Sequence, residues 1–351
     1  MCAQQCAGRR ARSVVVIDVS VIVPTHNRRQ LVSRAIDSIL CQHGVSIELV
    51  VVDDGSTDGT GPWLDHLAGK DSRIKVVHHA QPRFISCARN AGIAHASGRW
   101  LAFCDDDDLW APDKLAAQLG SLRASSARWG CAGIVVVDER LEIVGHHHVR
   151  GGDVLAGLLE ANEIPTSSVI VEAGLLPEIG GFDPALRGSE DWDVWIKLAQ
   201  HSQLAAVNRP LVAYRVSMQA LSMNVDHMRA GRLAIARRYA ALSAACGAQQ
   251  KEAEHERYLA KQLLRAGSRR QAASIFTALA FKHGRWRELP RAAAALVAPR
   301  LTDQLGQTRA TAAVPATWRG EAEDWLRPIR DASRAEARGF PAWTEAGELR
   351  A

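Results

Sequence analysis

Aromatic side chains are scarce in this sequence, at 5% of 351 residues. That leaves little for the stacking platforms on which nucleic-acid bases are held, and nothing reads as a zinc finger or another nucleic-acid module. Glycine-rich phosphate cradles are missing too: neither Gly-x-Gly-x-x-Gly nor a P-loop lysine motif occurs. No apolar run reaches membrane-spanning length, and no internal repeat stands out. Cysteine pairs with CxxC spacing are absent. The seven cysteines, at 2, 6, 41, 87, 104, 131 and 246, are scattered and odd in number. They read as reduced thiols of a cytoplasmic protein. The opening "MCAQQCAGRRARSVVVIDVSVIV" is basic and then apolar, as in a weak signal peptide. Asp18 interrupts it, no small-residue cleavage site follows, and the pattern continues into a strand.

What remains is a composition with 47% apolar and 23% charged residues, ordinary for a globular chain with a large core and more than one domain. The formal net charge of +5 is unevenly spread. Residues 1–225 carry 21 Lys and Arg against 25 Asp and Glu, whereas 226–351 carry 22 against 13. The second segment, rich in Ala, Leu and Arg, reads as mostly helical. Its charge suits anionic lipid, a protein partner or simply a solvated face.

The first segment alternates between short apolar runs and helical spacing. "DVSVIVP", "IELVVVDDGS", "RIKVVH" and "RWLAFC" predict strands, and helices are expected over 28–42, 57–69, 85–98 and 111–124. Pro112 falls in the first turn of the last of these. "CAGIVVVDERLEIVG" reads as two strands around Asp138–Glu139. Such alternation predicts an α/β fold, with a Rossmann-like, mostly parallel sheet covered by helices. A convincing helix follows at 189–200. Leu204–Val207 and 211–215 are expected as edge strands. Helices are expected at 226–246, 250–265, 269–283 and 286–297, a loop at 297–320, and uncertain order over the last thirty residues. The expected organisation is an N-terminal extension (1–16), a domain over 17–225, and a basic helical region over 226–351.

Three acidic groups fall at element ends: Asp53–Asp54, Asp105–Asp108 and Glu190–Asp191. Open α/β sheets bind ligands beyond the carboxyl ends of their strands. Crowded carboxylates there would be relieved by a divalent cation, and Mg²⁺ or Mn²⁺ is commonly held by one or two carboxylates with phosphate and water. On an extended backbone, Asp105 and Asp107 would point the same way. Arg89 and Arg215 would neutralise a diphosphate, and the third acidic pair would supply a general base. Each group has a plainer account. The run of four suits a solvated turn, Asp53-Asp54-Gly55-Ser56 a turn signal, and Glu190–Asp191 a helix N-terminal preference. His146–His148 read as an exposed polar loop and Trp192 and Trp195 as core. Trp110 is expected to pack under the acidic loop.

The blocks "VSVIVPTHNRRQLVSRAIDSILCQ", "IELVVVDDGSTDGT", "ARNAGIAHASGRWLAFCDDDDLWAPDKL", "GGFDP" and "SEDWDVWIKLA" together resemble the family 2 glycosyltransferases of GT-A fold, in order and spacing over about 17–216. The resemblance implies a metal-dependent enzyme that moves a sugar from a nucleoside-diphosphate sugar, with inversion in a single displacement. It places the nucleotide base at Pro24, His26 and Asn27. Asp54 would contact a uracil-like edge, favouring a UDP-sugar, with Asp53 beside it. It puts Arg89 along the donor, Asp105 near the ribose and Asp107 on Mn²⁺ or Mg²⁺. Asp106 and Arg215 are counted with the donor site, and Asp191 is the catalytic base. Asp108, Trp110, Glu190 and Trp192 support these. The acceptor would be a glycan or a lipid-linked sugar in surface polysaccharide, lipopolysaccharide or glycolipid synthesis. The enzyme would then be cytoplasmic, and peripheral at the inner membrane face where its basic region meets lipid. Two features depart from the pattern. No histidine follows Tyr214–Arg215 until His227, and Asp106 makes the site unusually acidic. A nucleotidyltransferase and a non-catalytic nucleotide-sugar scaffold remain as alternatives, the first disfavoured by the absence of glycine from "PTHNRRQL".

Overall fold

The computed structural model describes residues 17–216, 225–265, 267–298 and 310–337. The expected N-terminal extension lies outside them, as do Ser217 to Asn224. The chain begins by alternating strand and helix: β1 (Val19–Thr25), α1 (Arg29–Leu40), β2 (Ile47–Asp53), α2 (Thr60–Lys70), β3 (Ile74–His78), α3 (Phe84–His95) and β4 (Trp100–Phe103). Next come β5 (Leu109–Trp110), α4 (Lys114–Arg123), β6 (Trp129–Val137), β7 (Ile143–His147), α5 (Leu155–Glu160), β8 (Val169–Glu172), α6 (Leu175–Glu178), α7 (Glu190–His201) and β9 (Leu204–Arg215). Six further helices are described: α8 (Val225–Arg238), α9 (Ala240–Ala245), α10 (Glu252–Arg265), α11 (Arg269–Lys282), α12 (Leu289–Val297) and α13 (Ala316–Ala337).

The strands form one mixed sheet in the order β3-β2-β1-β4-β8-β6-β9-β5, with β7 paired to β6. The first four are parallel, as helical crossovers require. Beyond β4 the sheet is mixed. β8 runs antiparallel to both β4 and β6, and the β6–β7 hairpin needs no crossover. Every residue of β1 and β2 is buried, because helices cover both faces. Val32, Ile36 and Ile39 of α1 join one core with Val21, Val23, Leu49 and Val51. On the other face α3 sits so close that a Cβ on Gly92 would lie 2.5 Å from Ile22 Cγ2. Burying each such Val, Ile or Leu side chain contributes about 1.5–3 kcal/mol.

The structure changes several expectations. The two edge strands after 203 are one twelve-residue strand, β9, lying between β6 and β5. Register shifts around Gly133 let it bend past Asn208–Arg209 without leaving the sheet. The terminal region is helical well past 320. In α13, Trp318, Ala322 and Leu326 repeat every four residues and pack on Leu109, Val135, Val137 and Ala213 of the sheet. The region after 225 is therefore not one body: α10 to α12 share a separate core around Leu259, Phe276 and Leu279, whereas α13 belongs to the sheet. The histidine run is exposed at His147 and His148, as expected, but it is not all loop. His146 and His147 lie within β7, and the His146 and His148 rings pack edge-on to Trp318 at 5.7 and 4.3 Å.

Candidate active site

Parallel register brings the carboxyl ends of β1, β2 and β4 to one edge, with Thr25 beside Asp53 and Ile22 beside Phe103. The aspartate run begins two residues after β4. It is not extended: the Asp108 N–H donates to the Asp105 carbonyl at 3.2 Å, closing a turn. Asp105 and Asp107 therefore do not share a strand face, and each of the four carboxylates has a hydrogen-bond partner. Asp105 accepts from Arg89 at 2.8 Å. Asp106 accepts from the Thr25 hydroxyl at 2.8 Å and from Arg28 at 3.0 Å. The same Arg28 nitrogen reaches Asp107 at 3.2 Å. Asp108 is fully buried and accepts the Arg215 N–H at 2.8 Å, while Arg215 Nε donates to the Asp107 carbonyl.

These partners do not cancel the crowding. Burial, then the charges of Asp106 and Asp105, push the Asp107 acid up to about 7, against the pull of Arg28 and Arg215. Burial and Asp107 hold Asp108 well above the usual carboxylate range. The turn rests on Trp110, whose indole N–H donates to the Ser167 carbonyl at 3.0 Å. The Ser167 hydroxyl accepts the Asp105 N–H at 2.9 Å. Under Trp110 lies Lys114, fully buried, its ammonium nitrogen 3.6 Å from the ring centroid and 2.8 Å from Gln118 Oε1. Burial lowers that amine to about 7.

The second acidic group is held by protein donors. Asp53 accepts the Ser56 N–H and faces His78. Asp54 faces His79 at 2.6 Å and accepts the N–H groups of Arg83 and Phe84, both at 2.9 Å. It thus closes the first turn of α3. Phe84, a non-glycine residue at φ 69°, keeps a half-exposed ring under the Arg187 guanidinium at 3.7 Å. On the loop after β1, His26 Nδ1 lies 2.8 Å from the Asp54 carbonyl. Asn27, at φ 54°, accepts from the Thr57 N–H at 2.7 Å. Pro24 is buried inside β1, opposite Val52, so it shapes this loop from below.

The third group closes the site. Arg89, projecting from α3 and almost wholly buried, spans from Asp105 to Glu190, 2.9 Å away on the first turn of α7. Its guanidinium lies 5.2 Å from the Phe182 ring centroid. Glu190 also accepts the Gly188 N–H. Asp191 is next, half-buried, accepting its carboxylate contacts from Asn162, Thr166 and the Trp192 N–H. Burial and the Glu190 charge raise its acid to about 6, against the pull of Arg89. Trp192 anchors the turn through an indole N–H donated to the Leu158 carbonyl. Arg28, Asn162, Thr166, Lys114 and Ser167 were not singled out from the sequence.

Among the described residues, no group of three or more His, Cys, Asp or Glu is arranged to hold a metal ion by itself. The arrangement offers a cationic arm, an acidic rim and a half-buried carboxylate of raised pKa along one edge.

Residues 20–163 match the family described as Glycosyl transferase family 2. Similar proteins include an uncharacterized glycosyltransferase of Rickettsia felis, 30% identical over 201 residues, covering 57% of this chain and 33% of that one. A second is the Escherichia coli UDP-Glc:alpha-D-GlcNAc-diphosphoundecaprenol beta-1,3-glucosyltransferase WfgD, 29% identical over 59% of this chain and 80% of its own. This chain thus spans about a third of the Rickettsia relative and most of WfgD. Among solved structures, S. aureus TarS 1-349 in complex with UDP-GlcNAc superposes with a TM-score of 0.53 at 17% identity. It covers 92% of this chain and 93% of its own. That likeness shows the fold to be GT-A-like.

Proposed function

We propose that this protein is an inverting glycosyltransferase that moves a sugar from a nucleoside-diphosphate sugar to an acceptor hydroxyl. One observation carries the reading. Arg89 ties the strand-edge turn, at Asp105, to Glu190, the neighbour of Asp191. A cation-rich, acid-rimmed donor edge and a general base therefore share one site. Asp191, with its acid near 6, is ionised at neutral pH yet basic enough to accept a proton. It takes that proton as the acceptor oxygen bonds to the anomeric carbon. The bond from that carbon to the diphosphate breaks on the opposite side, which inverts the configuration. Asp54 and the His26–Asn27 loop hold the base, with UDP favoured, and Arg89 and Arg215 face the diphosphate.

A Mn²⁺ or Mg²⁺ ion fits the residues present. Asp107, raised first by burial and then by the like charges of Asp106 and Asp105, has a carboxylate that a cation would relieve, and Asp105 lies at the same rim. One or two carboxylates with phosphate and water suffice for such an ion, which would offset the charge of the departing diphosphate. The names of WfgD and of the putative teichuronic acid glycosyltransferase TuaG of Bacillus subtilis, 29% identical over 208 residues, support surface-glycan synthesis and, from WfgD, a lipid-linked acceptor. Residues 17–225 would carry the chemistry at the cytoplasmic face, and the basic region after 226 would meet the membrane. No helix among the described residues is long and apolar enough to cross one.

The test is a donor hydrolysis and binding screen with UDP-, GDP- and dTDP-sugars, with Mn²⁺ or Mg²⁺, for the wild type and Asp191→Ala. Metal-dependent turnover lost in the variant is expected. Binding without turnover by the wild type would make the protein a scaffold, and no binding of any nucleotide sugar would end the transferase reading.

A further inference from the structure

The charge of the C-terminal third is concentrated in one place. Residues 257–298 hold nine Lys and Arg and a single acid, Glu288. That acid is buried and paired with Arg257 and Arg291. Lys282 and Arg285 pair with Glu252 and Glu254 of α10, while Arg269, Arg270 and Arg287 are exposed.

The apolar residues of the same hairpin are reversed. α12 turns small side chains inward, Ala292 and Ala295, and large ones outward. Leu296 is 50% exposed and Val297 86%. Just before α12 stands Trp286, 58% exposed, with Phe281 edge-on at 5.2 Å and 65% exposed. Pro290, Ala293 and Val297 recur at intervals of three and four, so they share one face of α12, and all are exposed. A helix packed on a core shows the opposite distribution. Large apolar side chains turned outward beside basic residues mark a contact site.

We infer that the α11–α12 hairpin is the membrane-docking edge of this protein, seating Phe281, Trp286 and Val297 among the headgroups of an anionic phospholipid surface while Arg269, Arg270 and Arg287 meet its phosphates. Tryptophan and phenylalanine beside arginine is the composition that settles at headgroup depth. Each basic residue near an anionic leaflet adds attraction that fades with salt. A second copy is disfavoured, since two such edges would bring like charge together. This inference deepens the membrane part of the proposed function and does not depend on sugar transfer.

Co-sedimentation of the full chain with phosphatidylcholine vesicles, with and without phosphatidylglycerol, tests it without any donor present. The wild type should partition onto the anionic vesicles alone, less so as salt rises. Phe281→Ser/Trp286→Ser should lower the partition by about tenfold or more. Arg270→Glu/Arg287→Glu, which leaves the apolar face intact, should do likewise. Absence of wild-type binding to anionic vesicles, or binding indifferent to both variant pairs, overturns the inference. Self-association in ultracentrifugation that the serine pair abolishes, without vesicle binding, would assign the face to a second copy instead.

Discussion

The Arg89 guanidinium lies 2.9 Å from the Glu190 carboxylate, across 101 residues of chain, and this buried ion pair joins α3 to the first turn of α7. Arg89 also holds Asp105, so its removal would strand two carboxylates in a site where Arg89 itself is only 3% exposed. Breaking one side of such a pair costs about 3–5 kcal/mol. Arg89→Met should therefore lower the unfolding free energy by an amount in that range, read as a lower urea midpoint with the m-value unchanged. Adding Glu190→Gln should recover part of the loss. A single variant as stable as the wild type would mean the pair does not join the elements.

Asp191 should govern the pH dependence of transfer. Its acid is raised to about 6, first by burial and then by Glu190. The kcat/KM profile should rise with pH and level off above that value. Asp191→Asn should cost about 10²–10⁴ in rate, the usual worth of a positioned base, and flatten the limb. The sign for stability is opposite. A carboxyl group whose folded pKa lies above its unfolded value binds more protons when folded between about 4 and 6, so the wild type loses stability as pH rises through that window. The asparagine variant should lose less there than the wild type, since the raised Asp107 and Asp108 remain, and thermal melts at pH 4 and pH 7 would read the difference.

The acids of this site were legible in the sequence because each group ends an element: Asp53–Asp54 after β2, Asp105–Asp108 after β4, Glu190–Asp191 at the start of α7. Apolar runs and helical spacing located those elements. The partners of the acids were not legible. Arg28 meets Asp106 and Asp107 from 78 and 79 residues away, and Asn162 and Thr166 reach Asp191 from a stretch with no periodicity. Contacts made by tertiary closure leave no local spacing to read. The last helix was missed for another reason. Its apolar stripe is narrow, set among Arg and Glu, and Pro328 lies inside it, a residue that ordinarily ends a helix. Packing on the sheet outweighs that local preference.

That packing can be tested directly. Trp318 of α13 is 8% exposed and Leu326 fully buried, both against sheet residues. Leu326→Ala should cost about 2–5 kcal/mol and Trp318→Ala about 3–5 kcal/mol, the range for large apolar truncations in a core. Melting temperature and urea midpoint should both fall. Trp318→Ala should also uncover the partly buried His146 ring, making it more reactive to diethyl pyrocarbonate. Wild-type stability in either variant would place α13 off the sheet in solution.

Lys114 offers the last prediction. It is fully buried beneath Trp110, and burial lowers its amine from the ordinary lysine value to about 7. Below pH 7 the amine is charged in both folded and unfolded chains, and the folded state bears the full cost of burying an ammonium group. Between about 7 and 10.5 the unfolded chain holds the extra proton, so wild-type stability should rise with pH across that window. Lys114→Met keeps the length and apolar stem without the charge. Its stability should exceed the wild type's at pH 6 by on the order of 2 kcal/mol. Each pH unit between the two lysine values corresponds to about 1.4 kcal/mol, and the lost Gln118 hydrogen bond offsets part of the gain. The gap should shrink as pH rises and reverse toward pH 10, where the neutral wild-type amine keeps its Gln118 hydrogen bond. Urea unfolding of both proteins at pH 6, 8 and 10 measures it. A gap that stays constant with pH would show that Lys114 remains protonated against the Trp110 ring, as a cation–π contact strong enough to hold the proton.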